Sequence, residues 1–175
     1  MMNKVFEIIE AKNIFKINLQ KLSILIHPKS YVHAILSLKD GMIKVIAHET
    51  TMEIPIINSL YKEKNFFYKT KKLDIKSLNK LELSEVNVKK FPIVKILKKI
   101  PQKISLFETI LVSANDELVR LYLKKKINYE EIKKKLSLLI KSKEFEKYKK
   151  ISPTSCDDII KLDEYVRLKI NTKSI

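Results

Sequence analysis

The segment AILSLKDGMIKVIA, at residues 34–47, decides the fold class, because it predicts a β-hairpin in a chain whose second half predicts only helices. Two β-rich runs, 34–38 and 42–47, flank a turn around Asp40 and Gly41. The dipeptide Asp-Gly tolerates the positive φ of a tight turn, so the two runs are expected to pair as antiparallel strands.

A helix is predicted before the hairpin, at residues 2–15 (MNKVFEIIEAKNIF). Its apolar residues recur near the helical period and are Val5, Ile8, Ile9 and Phe15. Asn3, Lys4 and Glu7 are three or four residues apart and therefore share one polar strip at the helix start. An amide, an ammonium and a carboxylate on such a strip suit an anion and a divalent cation. The alternative is an ordinary solvated helix face with a Lys4–Glu7 ion pair.

The remaining segments of the first part alternate between extended and helical patterns. Residues 23–26 predict a short β-type run, and residues 51–61 predict a helix with Pro55 in its first turn. Residues 62–72 show no clear period and are interpreted as a solvated connection, which is followed by an extended segment at 81–83.

From residue 91 onward the sequence predicts helices only. They cover residues 91–100, 105–125 and 129–142 and a last segment that begins after Ser155. Asn128 and Glu131 form a capping-box pattern, and Asp157 and Asp158 place negative charge where the last helix begins.

The fold class predicted from these patterns is α+β, with a partial mixed α/β domain followed by a small all-α helical bundle. The predicted parts are a first domain at residues 1–83, a linker at 84–90 and a helical domain at 91–175. With 45% hydrophobic residues in 175, the chain has enough apolar side chains to build a core.

Composition excludes several classes of site. The single glycine, Gly41, excludes the Rossmann fingerprint, the Walker A loop and the hydrolase nucleophile elbow, which all need several glycines. The single cysteine, Cys156, cannot form an internal disulfide, which fits a reducing compartment. No apolar run approaches the length of a membrane span.

The net charge of +16 raises the alternative of a lysine-rich RNA-binding protein. The excess is spread along the chain, since residues 1–80 carry 14 basic and 7 acidic side chains and residues 81–175 carry 22 and 13. Of the 36 basic residues 34 are lysine, whereas base-edge recognition favours arginine. The codon bias of an AT-rich genome explains this composition better than nucleic-acid binding does.

Several blocks, taken in order, resemble the 1-deoxy-D-xylulose-5-phosphate reductoisomerase family. MMNKVFEIIEA at residues 1–11 resembles its MxNKGLExIEA block, and IHPKSYVH at 26–33 resembles its IHPQSxxHS block. Further along the chain, MEIPI at 52–56 resembles the family's DMRTPI, FP at 91–92 its FPC, and SAND at 113–116 its AANE. The hairpin turn at 39–41 and the last helix at 155–167 also match.

The resemblance implies an enzyme that rearranges a phosphorylated keto sugar and reduces the product with NADPH, using Mg²⁺ or Mn²⁺, on the methylerythritol phosphate route to isoprenoids. In such chemistry the metal acts as a Lewis acid, and hydride transfer traps the rearranged aldehyde. It also implies a homodimer, with no membrane partner, in a bacterial cytoplasm or a plastid stroma.

By the same resemblance, Glu7 matches a metal-binding glutamate, and Asn3 and Lys4 match residues that hold the substrate phosphate. Ser30 matches a substrate-binding serine of the cleft wall, and His33 matches a histidine there, which we take as the catalytic candidate.

Met52 matches a methionine near the nicotinamide. Three positions depart from the family pattern: Val5 replaces a glycine, Glu53 an arginine and Val112 an asparagine. A β-branched Val5 is expected to crowd the helix start where the family glycine lets the substrate approach.

The family's NADPH-binding domain and its upstream Asp and Glu metal ligands have no counterpart in this sequence, so Glu7 is expected to be one ligand of three. An N-terminal-half polypeptide is then needed for activity, and the chain alone is expected to be inactive. The alternative is a non-catalytic dimerisation or interaction module, or a gene relic.

Overall fold

The computed structural model of the chain describes residues 1–61, 76, 79 and 81–172. The predicted connection at 62–72 lies outside the described residues. By their contacts the residues form two compact units, Met1–Ser23 with Asn87–Ile175, and Ile24–Val86. We call them the helical unit and the hairpin unit and describe each by itself.

The helices and strands follow one another along the chain. In order they are α1 (Met2–Phe15), β1 (Leu25–Ile26), β2 (Val32–Ser37), β3 (Ile43–Ala47), α2 (Glu53–Leu60), β4 (Ser84–Glu85), α3 (Leu106–Leu123), α4 (Tyr129–Lys141), α5 (Lys143–Glu146) and α6 (Cys156–Asn171). Short 3₁₀ helices cover Leu19–Lys21, Pro92–Lys99 and Lys147–Lys150. Residues 91–170 contain no strand, which confirms the predicted α+β class with a helical second part.

Helix α3 is the centre of the helical unit, because it packs against both α4 and α6. Its fully buried side chains recur at helical spacing and are Phe107, Ile110, Leu111, Ala114 and Leu118. Helix α6 buries Leu162, Val166 and Ile170 against the same core. Each such aliphatic side chain contributes roughly 1.5–3 kcal/mol by leaving water.

The predicted capping box at Asn128 is present, and the last helix also begins with a capping box. The Asn128 side chain accepts from the Glu131 backbone N–H, and the Glu131 carboxylate accepts from the Asn128 backbone N–H. Ser155 and Asp158 form the same reciprocal pair at the start of α6. A cap of this kind is worth about 1 kcal/mol.

Helix α1 belongs to the helical unit, whereas the sequence groups it with the hairpin in a domain at residues 1–83. The physical reason is burial, since Val5 and Ile9 lie in the same apolar core as α3. A buried ion pair between Lys12 and Glu108 also joins α1 to α3.

The hairpin unit contains the predicted β2–β3 pair. Ser37 lies opposite Ile43 and Leu36 opposite Lys44. Gly41 adopts a φ of 85°, which glycine reaches without steric cost, and Asp40 accepts a 3.0 Å hydrogen bond from the Met42 N–H.

A second antiparallel pair joins β1 to β4, with Leu25 opposite Glu85 and Ile26 opposite Ser84. Two residues of the predicted linker at 84–90 therefore form a strand, while the predicted extended segment at 81–83 is irregular. Two-residue strands carry too few alternating side chains to be recognised by period.

Candidate functional site

The predicted polar strip lies on the exposed face of α1. Asn3, Lys4 and Glu7 are all exposed, and Lys4 Nζ lies 2.7 Å from Glu7 Oε2. About half of each side chain in this ion pair is open to solvent, 49% for Lys4 and 52% for Glu7. The first turn of α1 carries no acidic residue and no side-chain cap, so its N–H groups are open to an anion.

Val5 points away from this strip, because its side chain is completely buried in the helical core. The expectation that Val5 crowds the helix start is therefore wrong. Residues 4 and 5 of a helix are about 100° apart around its axis, so Lys4 faces solvent while Val5 fills the core.

A magnesium site is not complete within the part of the chain that the structure describes. No group of three or more His, Cys, Asp or Glu side chains there is placed to hold a metal ion. Glu7 offers one carboxylate and is already paired with Lys4. Because Mg²⁺ demands near-octahedral oxygen coordination, this single carboxylate does not fit the ion without further ligands.

Ser30 lies in a tight turn between β1 and β2. It adopts a φ of 55°, in the left-handed region, and its N–H donates to the His27 carbonyl at 3.0 Å. The Ser30 side chain is exposed. Left-handed backbone at a non-glycine residue is uncommon and recurs at binding sites.

His33 lies at an irregularity of the β2–β3 ladder and is exposed. Its ring stacks on the ring of His48, which follows β3, with centroids 3.6 Å apart and planes 4° apart. The sequence gives no sign of this stack, because residues 15 apart carry no local signal of contact.

Met52 is the residue directly before α2 and is 66% exposed. The preceding residue orders this turn, since the Glu53 N–H donates to Thr51 Oγ1 at 3.2 Å. Met52 is therefore an accessible apolar side chain in the hairpin unit, and the helical unit carries Asn3, Lys4 and Glu7.

The ion pairs and hydrogen bonds of the charged residues on α3 and α6 were not predicted from the sequence. Glu117 is almost fully buried, and its carboxylate accepts from Arg120 Nε at 2.8 Å and from Asn171 Nδ2 at 2.6 Å. The Arg120 hydrogen bond lowers the pKa of Glu117 despite burial, which acts in the opposite direction. Likewise Arg167 donates to Asp163 at 2.8 Å and lowers the pKa of that carboxyl.

These ionic groups hold α3 and α6 together, so their role is structural. The spacing of Glu117 with Arg120, and of Asp163 with Arg167, could have indicated the pairs within each helix. Arg167 Nη1 also donates to Asp116 over 2.7 Å, from α6 to α3. These two residues are 51 positions apart, so no helical spacing indicates the bond.

A cavity of about 290 Å³ lies at the other end of α1 from the polar strip. Its lining residues are Lys12, Asn13, Lys16, Gln102, Lys103, Ile104 and Ser152. None of the six residues predicted from the sequence lines it. Among the described residues no helix is long and apolar enough to cross a bilayer.

Comparison with known proteins gives one consistent family. The sequence profile of the DXP reductoisomerase C-terminal domain matches residues 48–169. The 1-deoxy-D-xylulose 5-phosphate reductoisomerase of Pelagibacter ubique is 49% identical over 175 residues, which are 100% of this chain and 45% of the relative. The enzyme of the same name from Wolbachia pipientis is 35% identical and is matched over 96% of this chain and 43% of its own length.

Solved structures of the same family have the same fold. The Zymomonas mobilis reductoisomerase in complex with NADPH matches 98% of this chain and 44% of its own, with a TM-score of 0.80 and 27% identity. A DOX-P reductoisomerase with fosmidomycin and magnesium gives a TM-score of 0.85 at 25% identity, over 99% of this chain and 44% of its own. The chain thus spans less than half the length of the relatives it matches.

Proposed function

We propose, since this chain belongs to the 1-deoxy-D-xylulose 5-phosphate reductoisomerase family, that it forms the substrate-binding and metal-binding half of such an enzyme. The NADPH-binding half corresponds to the part of the relatives that this chain does not match. Together the two halves rearrange 1-deoxy-D-xylulose 5-phosphate and reduce the product to 2-C-methyl-D-erythritol 4-phosphate. Activity then depends on the presence of both halves, and the assembly is a homodimer.

The observation that carries this proposal is the exposed strip of Asn3, Lys4 and Glu7 at the start of α1. Asn3 and Lys4 donate to oxygens of the substrate phosphate, whose charge is favoured at a helix N-terminus. If Lys4 turned to the phosphate, its ion pair with Glu7 would open, and the Glu7 carboxylate would be available to hold a divalent cation that acts as a Lewis acid. The remaining ligands would come from the other half, because one carboxylate does not hold the ion.

The hairpin unit contributes the other proposed residues. Ser30 binds the substrate, His33 is the catalytic candidate, and Met52 offers an apolar surface to the nicotinamide ring. NADPH itself needs a glycine-rich turn to receive its pyrophosphate, and a chain with one glycine does not encode that turn.

The packing of the hairpin unit also supports a covering layer from the other half. Of its described residues, 24–61, 76, 79 and 81–86, none is buried. Its strands expose aliphatic side chains, among them Ile43 at 66% and Val45 at 50%. A two-stranded hairpin is marginal in water without a further layer, so this unit gains stability from a covering partner.

The exposed aliphatic strands also favour a second candidate function, a non-catalytic interaction module that binds a protein partner without turnover. The two functions differ in one measurable property. The module binds the N-terminal-half polypeptide and produces no activity, whereas the enzyme half restores NADPH oxidation.

The test mixes the 175-residue chain with the unmatched portion of the Pelagibacter relative, expressed separately. Oxidation of NADPH is followed at 340 nm with 1-deoxy-D-xylulose 5-phosphate and Mg²⁺, and complex formation is followed by analytical ultracentrifugation. The proposal expects turnover in the mixture and none with either polypeptide alone. A stable complex without turnover favours the interaction module.

A further inference from the structure

A bulge in the hairpin isolates His33 from the strand ladder. Val32 lies opposite Ala47 and Ala34 lies opposite Ile46, so His33 is the extra residue on β2. The His48 N–H donates to the Tyr31 carbonyl at 3.0 Å, which closes the ladder just beyond the bulge. Bulges re-aim a side chain and are frequent beside active sites.

The bulge brings the His33 and His48 rings into parallel contact. Their centroids lie 3.6 Å apart and their planes differ by 4°. A second contact joins the same two residues, since His33 Nε2 lies 3.3 Å from the His48 carbonyl oxygen. His48 therefore meets His33 twice, once through its ring and once through its backbone.

These contacts also define where the ring hydrogens lie. A carbonyl oxygen only accepts, so the hydrogen bond to the His48 carbonyl places a hydrogen on Nε2 of His33. His48 Nδ1 lies 2.6 Å from the Glu49 carbonyl oxygen, and by the same reasoning Nδ1 of His48 carries its hydrogen. The two stacked rings thus donate through different nitrogens, Nε2 in His33 and Nδ1 in His48.

We infer that His48 is a positioning residue for His33. The His48 ring packs against the His33 ring and keeps it in one rotamer. The His48 carbonyl accepts the hydrogen of His33 Nε2. The link to catalysis rests on the proposed function, in which His33 belongs to the substrate site, whereas the positioning itself is a property of the hairpin unit.

The test uses ¹⁵N-labelled full-length chain without substrate or partner. Imidazole ¹⁵N spectra are expected to show Nε2–H for His33 and the less common Nδ1–H for His48, with side-chain couplings that report one rotamer for His33. His48→Ala removes the stacked ring, and we expect averaging of the His33 rotamers and loss of the ring-current shift at His33. His48→Phe retains a stacking ring and restores both signals.

His27→Ala is the control, because His27 contacts the Glu82 carbonyl at 3.4 Å elsewhere in the hairpin unit. Unchanged His33 signals in His48→Ala, or failure of His48→Phe to restore them while the β2 and β3 amide shifts are intact, would overturn the inference. These outcomes do not depend on turnover, so a failed complementation assay refutes the proposed function and leaves the positioning result standing.

Discussion

Lys4 and Glu7 form an ion pair on the exposed face of α1, with Lys4 Nζ 2.7 Å from Glu7 Oε2. In the proposed enzyme these two residues bind opposite charges, Lys4 the substrate phosphate and Glu7 the metal ion. The pair keeps both side chains on the same strip until substrate and cation replace it. Exposed pairs of this kind are worth only about 0.2–1 kcal/mol, so they open readily.

The first prediction concerns metal binding by the chain alone. Mn²⁺ is expected to bind weakly, because one exposed carboxylate supplies few of its ligands. Lys4→Met removes the competing ammonium, and affinity at Glu7 is expected to rise about twofold to fivefold. Paramagnetic broadening of the Glu7 amide signal measures this. Lys133→Met is the matched control, since Lys133 pairs with Glu130 at the same i,i+3 spacing, and equal broadening in both variants would contradict the prediction.

The second prediction concerns Val5, which replaces the family glycine. Val5→Gly removes a fully buried side chain and adds a glycine to a helix interior. Losing the buried side chain costs about 1.5–3 kcal/mol and the glycine about 1 kcal/mol more, so urea unfolding should show a loss of roughly 2.5–4 kcal/mol. Glu10→Gly, on the exposed face of the same helix, should lose only about 1 kcal/mol. Equal losses would show that Val5 does not support the core.

The third prediction concerns the pair that fixes α1 to the helical unit. Lys12 Nζ contacts Glu108 and donates to the Pro101 carbonyl at 3.1 Å, and Asn13 donates to the other Glu108 oxygen at 2.8 Å. Lys12→Met leaves Glu108 buried without a counter-charge, and stability should fall by about 3–5 kcal/mol. Adding Glu108→Leu should recover part of that loss. A double variant less stable than Lys12→Met would contradict this account.

The fourth prediction concerns acid. The pKa of Glu117 is lowered chiefly by the Arg120 hydrogen bond, so the ionised form stabilises the folded state. This stabilisation is complete above the pKa that Glu117 has in the unfolded chain, about 4.3. It is lost as pH falls through the lower pKa that Glu117 has in the folded state. Glu117→Gln should therefore lose about 1–3 kcal/mol at neutral pH and a smaller amount near pH 3. Glu130→Gln, at an exposed site, should show neither effect, and a pH-independent loss in Glu117→Gln would contradict the assignment.

The sequence predicts the elements that carry local signals. The hairpin follows from Asp40 and Gly41, and the starts of α4 and α6 follow from side chains that cap their own backbone. Each of these features depends on residues within four positions, which is why period and turn chemistry reveal them.

The sequence does not predict what depends on distant partners. The apolar face of α1 could pack on strands or on helices, and only tertiary packing assigns Val5 to the core of α3. The stack of His33 on His48 depends on a bulge that shifts the ladder by one residue, and period-two reasoning assumes a regular ladder. The exposure of Asn3, Lys4 and Glu7 follows from the helical period, whereas their roles come from resemblance to the family and remain a proposal.

The measurement that tests the central claim most directly is NADPH oxidation by the complemented mixture with Glu7→Gln and Glu10→Gln compared side by side. Both glutamates are exposed on α1 one turn apart, and only Glu7 is assigned to the metal ion. We expect Glu7→Gln to abolish turnover, while Glu10→Gln retains Mg²⁺-dependent turnover. Turnover that persists in Glu7→Gln, or turnover by the unmixed chain, would contradict the claim that these 175 residues supply the metal and substrate side of a reductoisomerase.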